Sequence, residues 1–293
     1  YYLWTCFHKD PQHSGFSPEQ IQPPLEERWS IPFKGQVSCA PVAGGGTVYA
    51  VSRTGELAAV DVQSGAELWR VNVPKTEGSP ATSGDRIYLG AENGSFLCLS
   101  VEDGRTLWQD KRDSFRAPPV VSEDLVVAPS WGGDAFCWET KTGRLRWHRR
   151  IGSQAFGCPA LGGGLVVTSE WSGHLTCLDL ENGSQRWRFQ AGAEIHGAPA
   201  LVEESVLAGA DDGFLYNVAL SDGRLLWQTS LGSRVRASAA VAGDRIIVGT
   251  GDGTLCALAL ADGSVLWRTK AAEEISSSPA IARDVVYCGS RDG

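Results

Sequence analysis

The histidines and cysteines of this chain could do chemistry, but their spacing forms no catalytic or metal-binding pattern. The eight cysteines include no Cys-x-x-Cys pair. His174 directly follows Gly173, and no spacing rule pairs a serine or cysteine nucleophile with it. Three other histidines lack the mutual spacing of a zinc site: His8, His13 and His148. We therefore predict no catalytic residues and no metal ligands.

The cysteines are better explained by packing than by disulfide bonds or metal binding. Four of them occupy near-equivalent strand positions in different repeats, where a small apolar side chain packs: Cys98, Cys137, Cys177 and Cys256. We expect free thiols, which favours a reducing compartment such as the cytoplasm. The bacterial envelope is the alternative, and the sequence leaves the compartment open.

Aromatic and charged residues at two variable loop positions could bind a partner. One position lies three residues before a repeated proline or its equivalent, and the other lies two residues before a repeated glycine. Exposed tryptophan together with arginine is typical of the residues that dominate protein interfaces. We predict one binding face with the candidates Phe115, Arg116, Trp131, Phe156, Trp171, His196 and Arg236.

Two other interpretations of these candidates remain open. Trp131 and Trp171 could simply cover the ends of their repeats. Arg116, His196 and Arg236 could hold a small anion at the mouth of a channel, or they could be solvated loop charges.

A repeat of about forty residues must position these loops. The repeated tryptophans are spaced 40, 39, 39, 40, 40 and 40 residues apart, and a glycine stands four residues before each of the last six. A period near forty with turns and without helices is typical of a propeller. The structural tryptophans are Trp29, Trp69, Trp108, Trp147, Trp187, Trp227 and Trp267.

Each repeat predicts four short antiparallel strands, here called A to D, that form one blade. Proline in strand A suits an innermost strand, whose free edge needs no donor. We predict an N-terminal arm over residues 1–28, which includes a long polar loop with proline and glycine, and one all-β, seven-bladed propeller over 29–293. The last blade takes strands A and B from residues 276–293 and strand D from the segment around Trp29. Its strand C is either Tyr1–Phe7 or a segment beyond Gly293.

Composition narrows the possible partners. The chain has 293 residues, a formal net charge of −8 and a pI of about 5.2. An acidic chain is a poor general binder of nucleic acid or anionic membranes. It contains no apolar run long enough to span a bilayer. It begins without methionine, so it looks processed, excised or incomplete.

The repeat phrase from Ala59 to Trp69, with Asp61 and Gly65 inside it, resembles the PQQ-like propeller repeat. The resemblance implies that each tryptophan packs between adjacent blades on a glycine turn. WD40 repeats fit less well, because no Trp-Asp dipeptide follows strand C. One branch of the PQQ-like family binds pyrroloquinoline quinone and calcium, often under a vicinal cysteine pair that this chain lacks. The other branch, which includes BamB-type scaffolds, has no cofactor.

We therefore expect a non-catalytic scaffold without PQQ or calcium, which presents a variable loop face to a protein or peptide. A small anionic ligand stays possible, and nucleic acid and membrane insertion are excluded. The alternatives are a sensor or accessory domain of a larger protein and, less favoured, a PQQ-dependent dehydrogenase. Oligomeric state and partner identity are left open.

Overall fold

A computed structural model describes residues 4–19 and 23–292 of the chain. Within these residues every regular element is a β-strand. The fold is a seven-bladed β-propeller, as predicted: six blades have four strands each, and the seventh sheet has three. The chain divides into two compact units, which are described separately. That residues 29–293 form one domain stays a prediction.

The first unit contains residues 4–11, 24–159 and 181–183, with three complete blades. Every blade is a meander of neighbouring antiparallel strands. The strands are β2 (Val42–Gly44), β3 (Thr47–Val51), β4 (Glu56–Asp61), β5 (Glu67–Asn72), β6 (Ala81–Ser83), β7 (Arg86–Gly90), β8 (Ser95–Ser100), β9 (Thr106–Lys111), β10 (Val120–Val121), β11 (Leu125–Pro129), β12 (Asp134–Glu139) and β13 (Leu145–Arg150).

The second unit contains the described part of residues 12–23 together with 160–180 and 184–292. It holds three complete blades and the three-stranded sheet β1-β26-β27. Its strands are β1 (Phe16–Ser17), β14 (Ala160–Gly162), β15 (Leu165–Ser169), β16 (His174–Asp179), β17 (Gln185–Gln190), β18 (Ala200–Val202), β19 (Ser205–Gly209), β20 (Phe214–Ala219), β21 (Leu225–Ser230), β22 (Ala240–Ala242), β23 (Arg245–Gly249), β24 (Thr254–Ala259), β25 (Val265–Lys270), β26 (Ala280–Ala282) and β27 (Val285–Tyr287).

The repeated tryptophans pack on glycine turns, as the resemblance implied. Gly104 has a φ of +72°, and a Cβ added there would stand 2.8 Å from the Trp69 ring. Only glycine therefore fits this turn without strain. The Trp69 indole also donates a hydrogen bond of 2.9 Å to the carbonyl of Val101. The other glycine–tryptophan contacts are Gly65 with Trp29, Gly143 with Trp108, Gly183 with Trp147, Gly223 with Trp187 and Gly263 with Trp227.

Both chain termini contribute to the seventh sheet, as predicted, but its strands differ from the prediction. Phe16 pairs in parallel with Ile281, so the arm supplies β1. The segment around Trp29 forms no strand, which corrects its assignment as strand D, although Trp29 still packs on a glycine turn. Residues 1–3 of the proposed strand C lie outside the described residues, and Trp4 pairs instead with Ala43.

The N-terminal arm is extended along strands A, where the sequence predicted a polar loop. In the first unit, the carbonyl of Thr5 accepts a 2.7 Å hydrogen bond from the Thr82 amide. In the second unit, three arm carbonyls accept bonds of 2.8 Å from the amides of Leu201, Val241 and Ile281. Because strand A has a free edge, these bonds satisfy donors that the blades themselves leave open.

Candidate binding surfaces on the loops

One backbone hydrogen bond places the two variable loop positions side by side in each unit. The residue two before the B–C glycine donates its amide to a carbonyl in the preceding D–A loop. In the first unit Trp131 donates to Ser114 at 2.7 Å, and in the second unit Asp211 donates to Glu194 at 2.9 Å. The variable side chains therefore meet in pairs, on turns fixed by backbone bonds.

The turn that carries Trp131 is held by a hydrogen-bond network around Asp113. One oxygen of this carboxylate accepts a 2.9 Å bond from the Ser130 hydroxyl and a 2.6 Å bond from the Gly132 amide. A Cβ at Gly132 would stand 2.0 Å from the same oxygen, so a side chain there would break the network. Trp131 is thus presented by a rigid turn. Sequence analysis missed the role of Asp113.

An aromatic cluster in the first unit consists of Arg116, Trp131 and Phe156. The Trp131 and Phe156 rings meet edge to face, with centroids 4.5 Å apart and planes at 89°. The Arg116 guanidinium lies 4.4 Å from the Trp131 ring centroid. Such a cation–π contact stabilises by about 0.5–2 kcal/mol, depending on its exposure. All three side chains are partly exposed, so the structure brings these predicted candidates together at the surface.

Glu77 offsets part of the positive charge beside this cluster. Its carboxylate accepts a 3.3 Å hydrogen bond from Arg116 and forms an ion pair with Arg53. The Nε of Arg116 is buried and has no hydrogen-bond partner among the described residues. Because Arg116 already has a carboxylate neighbour, its position disfavours the capture of a small anion.

Phe115 is a core residue, which corrects its prediction as part of the binding face. Its side chain is 0% exposed and packs against Phe96, Phe136 and Trp138 with centroid distances of 5.5–6.0 Å. The repeats contain the signal for this burial, because the equivalent position is apolar and buried in four other copies: Ala155, Ile195, Val235 and Ile275.

An Asp211 cluster in the second unit joins the remaining candidates, Trp171, His196 and Arg236. Arg236 donates from Nε and Nη2 to the two Asp211 oxygens at 2.9 and 2.5 Å. These hydrogen bonds lower the pKa of Asp211 and raise that of Arg236. The Trp171 and His196 rings lie 5.3 Å apart. Sequence analysis left Asp211 out of the candidate set.

The Asp211 cluster also contains the one group of potential metal ligands found among the described residues. One ligand atom from each of Glu194, His196 and Asp211 lies within 4.8 Å of the others. Burial lowers the pKa of His196, which leaves the imidazole neutral near pH 7 and able to coordinate. Arg236 opposes this use, because its guanidinium occupies both Asp211 oxygens and would repel a cation.

Glu274 links two arginines near the end of the second unit. Its Oε2 lies 3.0 Å from Arg234 and 3.1 Å from Arg291. The residue is 8% exposed, and its Oε1 has no hydrogen-bond partner in the described part of the chain. A carboxylate buried this far is tolerated because two guanidinium groups face it. The sequence signal for Glu274 is its position in the D–A loop, two residues before Ser276.

The cysteines have no disulfide partners, as predicted. Seven are buried and Cys288 is exposed. Burial raises the pKa of both Cys137 and Cys177 to about 12. These two thiols are therefore protonated at neutral pH and are poor nucleophiles and metal ligands.

Comparison with known proteins identifies the family. A family model described as outer membrane protein assembly factor BamB matches residues 21–158, 112–240 and 211–293. The chain belongs to this family. The match confirms the resemblance to PQQ-like propellers of the BamB type. None of the curated proteins matches the chain in sequence.

Solved structures of similar fold include a natural and a designed propeller. BamB from Moraxella catarrhalis is 21% identical, with a TM-score of 0.79 over 90% of this chain and 86% of that chain. The computationally designed Ika8 protein is 16% identical, with a TM-score of 0.68 over 89% of this chain and 95% of that chain. At these sequence identities the structural similarity shows only that the fold is shared. No helix in the described residues has the length and apolar character needed to cross a bilayer.

Proposed function

We propose that this chain is a protein-binding scaffold and that the aromatic cluster of Arg116, Trp131 and Phe156 is a contact site for its partner. Two aromatic rings and a guanidinium group stand partly exposed on fixed turns. Tryptophan and arginine contribute more binding energy per residue than most side chains at interfaces. A preformed site loses little conformational entropy on association. Membership of the assembly factor family also favours a protein as the partner.

The partner segment should offer an apolar or aromatic side chain rather than a free phosphate or carboxylate. Arg116, the cation beside Trp131, is already paired with the Glu77 carboxylate. Trp131 and Phe156 are partly exposed and offer apolar ring surface. Burial of one such ring on association stabilises a complex by roughly 1.5–3 kcal/mol.

Substitution of Trp131 tests the proposed site. We expect Trp131→Ala to weaken capture of a cognate protein by immobilised chain at least tenfold, because it removes the ring that both Arg116 and Phe156 contact. Leu68→Ala is the matched control, since Leu68 is 56% exposed on β5 and away from the loops. Unchanged melting temperatures would show that both variants fold. Equal capture by wild type and Trp131→Ala would exclude the cluster as the contact site.

We also propose that the chain has no catalysis of its own and uses neither PQQ nor calcium. The raised pKa values of the buried thiols and the ion pairing of Asp211 support this proposal, because neither group is poised as a nucleophile or base. Incubation with PQQ and calcium should give no bound quinone absorbance band and no dye reduction with alcohols. A stoichiometric quinone band or calcium-dependent dye reduction would contradict it.

A further inference from the structure

The outermost strand of one blade in the first unit carries an unusual concentration of positive charge. This strand is β13, and its six residues include Arg146, His148, Arg149 and Arg150 but no acidic residue. The outermost strands of the other five complete blades carry at most two basic residues each. Because the whole chain has a formal net charge of −8, its composition does not account for this concentration.

Arg149 is exposed on β13 and is held by carbonyl groups rather than by a carboxylate. Its Nε donates a 3.1 Å hydrogen bond to the Gly183 carbonyl, and its Nη2 donates one of 3.0 Å to the Asn182 carbonyl. Its Nη1 donates to the carbonyl of His148 at 3.0 Å. No carboxylate in the described part of the chain forms an ion pair with it. The three bonds therefore fix the direction of the guanidinium group and leave its charge without a counter-ion.

The neighbouring arginines are paired, but their ion pairs lie at the surface. Arg144 and Arg146 share the carboxylate of Glu139, and the Arg144 side chain is 68% exposed. Arg150 is 64% exposed and lies 3.3 Å from Asp134. Because exposed ion pairs contribute little stability, these guanidinium groups can accept a further acidic partner at small cost.

An open groove of about 400 Å³ lies beside β13. Its lining includes the arginines Arg144, Arg146 and Arg149 and the apolar side chains of Leu145 and Trp147. Strand β13 also ends its sheet, which has the order β10-β11-β12-β13. One row of its backbone donors and acceptors therefore has no neighbouring strand within the described residues. The groove thus combines a free strand edge with three guanidinium groups.

We propose that this groove binds an extended, acidic peptide segment of a partner protein. The segment would pair with the free edge of β13 by β-strand addition, and its carboxylates would pair with Arg149 and the neighbouring arginines. Because side chains alternate along a strand, acidic residues at every second position would all face the same side. A nucleic acid carries the charge but cannot form these backbone hydrogen bonds, and the chain as a whole is acidic, so the observations favour a peptide. This site is separate from the aromatic cluster of the proposed function and does not depend on it.

A capped heptapeptide that alternates glutamate with threonine is the probe, and calorimetric titration into the full chain measures its affinity. The same peptide with glutamine in place of glutamate should bind at least tenfold more weakly, because it keeps the shape and loses the charge. Two further glutamate peptides carry N-methyl groups on the backbone of either the glutamates or the threonines. One of them should bind at least tenfold more weakly than the other, because only one set of N–H groups faces β13.

Variants of the chain assign the binding to β13. Arg149→Gln should weaken binding of the glutamate peptide about tenfold, and Arg149→Lys, which keeps the charge, should weaken it less than about threefold. Arg268→Gln is the matched control and should bind normally, since Arg268 is exposed on β25, the outermost strand of another blade. Unchanged melting temperatures would show that each variant folds, and the comparison of peptides does not depend on any variant.

Several results would overturn this inference. The first is equal binding of the glutamate and glutamine peptides, or no binding of the glutamate peptide at millimolar concentration. The second is an equal loss in Arg149→Gln and Arg268→Gln, which would place the peptide elsewhere, or in Arg149→Gln and Arg149→Lys, which would deny a role to the charge. The third is a single-stranded oligonucleotide of equal charge that binds as tightly as the peptide, together with equal affinities of the two methylated peptides. That result would show a general polyanion surface.

Discussion

The ion pair between Asp211 and Arg236 shows that a single residue can change the charge that a binding surface offers. The sequence predicts Arg236 as part of the binding face, or as a group that could hold an anion at a channel mouth, but its Nε and Nη2 both donate to one carboxylate. Asp211 is 15% exposed and Arg236 is 36% exposed at the side chain. A pair of this kind contributes structure to the loop and leaves little net charge for a ligand.

The stability that this pair provides should depend on pH. The pKa of folded Asp211 lies below its ordinary value, which is about 3.9 in an unfolded chain. The contribution is therefore complete above about pH 4 and is lost as the pH falls through the folded pKa. We expect Arg236→Ala to lower the free energy of unfolding by about 1 kcal/mol at pH 7 and by less at pH 3, measured by urea denaturation.

Arg245→Ala is the control for this measurement, because Arg245 lies 3.8 Å from Asp244 with both side chains well exposed. It should change the free energy of unfolding by less than about 0.5 kcal/mol at either pH. A deficit of Arg236→Ala that is as large at pH 3 as at pH 7 would show that the loss comes from packing and not from the charge on Asp211.

The sequence could predict which loop positions vary, but not the direction of each side chain. Arg116 and Trp131 are placed together, as expected, because a backbone bond joins their two loops. Phe115 is only one residue from Arg116 and points into the core, where Gly90 leaves room for its Cβ. The partners Glu77 and Asp211 depend on contacts between different blades, which spacing along the chain does not encode.

Neighbouring blades pack together at a turn that contains a glycine. The pairing of strand C with strand D shifts register before this turn, for example between Cys98 and Leu99. The shifted turn closes through a 3.0 Å bond from the Gly104 amide to the Ser100 carbonyl. The glycine backbone then lies flat on the indole of the preceding blade. The sequence predicted this element well, because both its glycine and its tryptophan recur at fixed spacing.

Substitution of two turn glycines separates conformational strain from steric conflict. Gly143 has a φ of +69°, and its added Cβ would stand 2.6 Å from the Trp108 ring. Gly84 has a φ of +60° with nothing within 4 Å of such a Cβ. We expect Gly84→Ala to cost about 1 kcal/mol of stability and Gly143→Ala about 2–4 kcal/mol, measured by chemical denaturation. Equal losses in the two variants would mean that the indole contact adds nothing to the turn.

At the scale of the whole molecule, the N-terminal arm is the feature that composition and repeats predicted least. Its residues belong to no repeat, and its polar sequence with proline and glycine indicated a loop. Carbonyl groups of the arm accept hydrogen bonds from the donors left on strands A. Such pairing depends on the assembled blades, so no local pattern in residues 1–28 could reveal it.

Removal of residues 1–17 should expose the inner edges of the blades. In the second unit we expect the amides of Leu201, Val241 and Ile281 to exchange with deuterium at least tenfold faster, because their acceptors at Gln12, Ser14 and Gly15 are lost. Amides of β19 and β23 within the same blades serve as the control and should stay protected. Unchanged exchange at the three edge amides would show that the arm does not protect them.

The parallel pairing of β1 with β26 has a consequence for how the chain is made. Arg283 donates a 3.1 Å hydrogen bond to the carbonyl of Pro18, across 265 residues of sequence. During synthesis β1 must therefore stay unpaired until residues 280–282 have been made. Contacts so distant in sequence form slowly. Of the seven described sheets, this one is therefore the last that can form on a nascent chain.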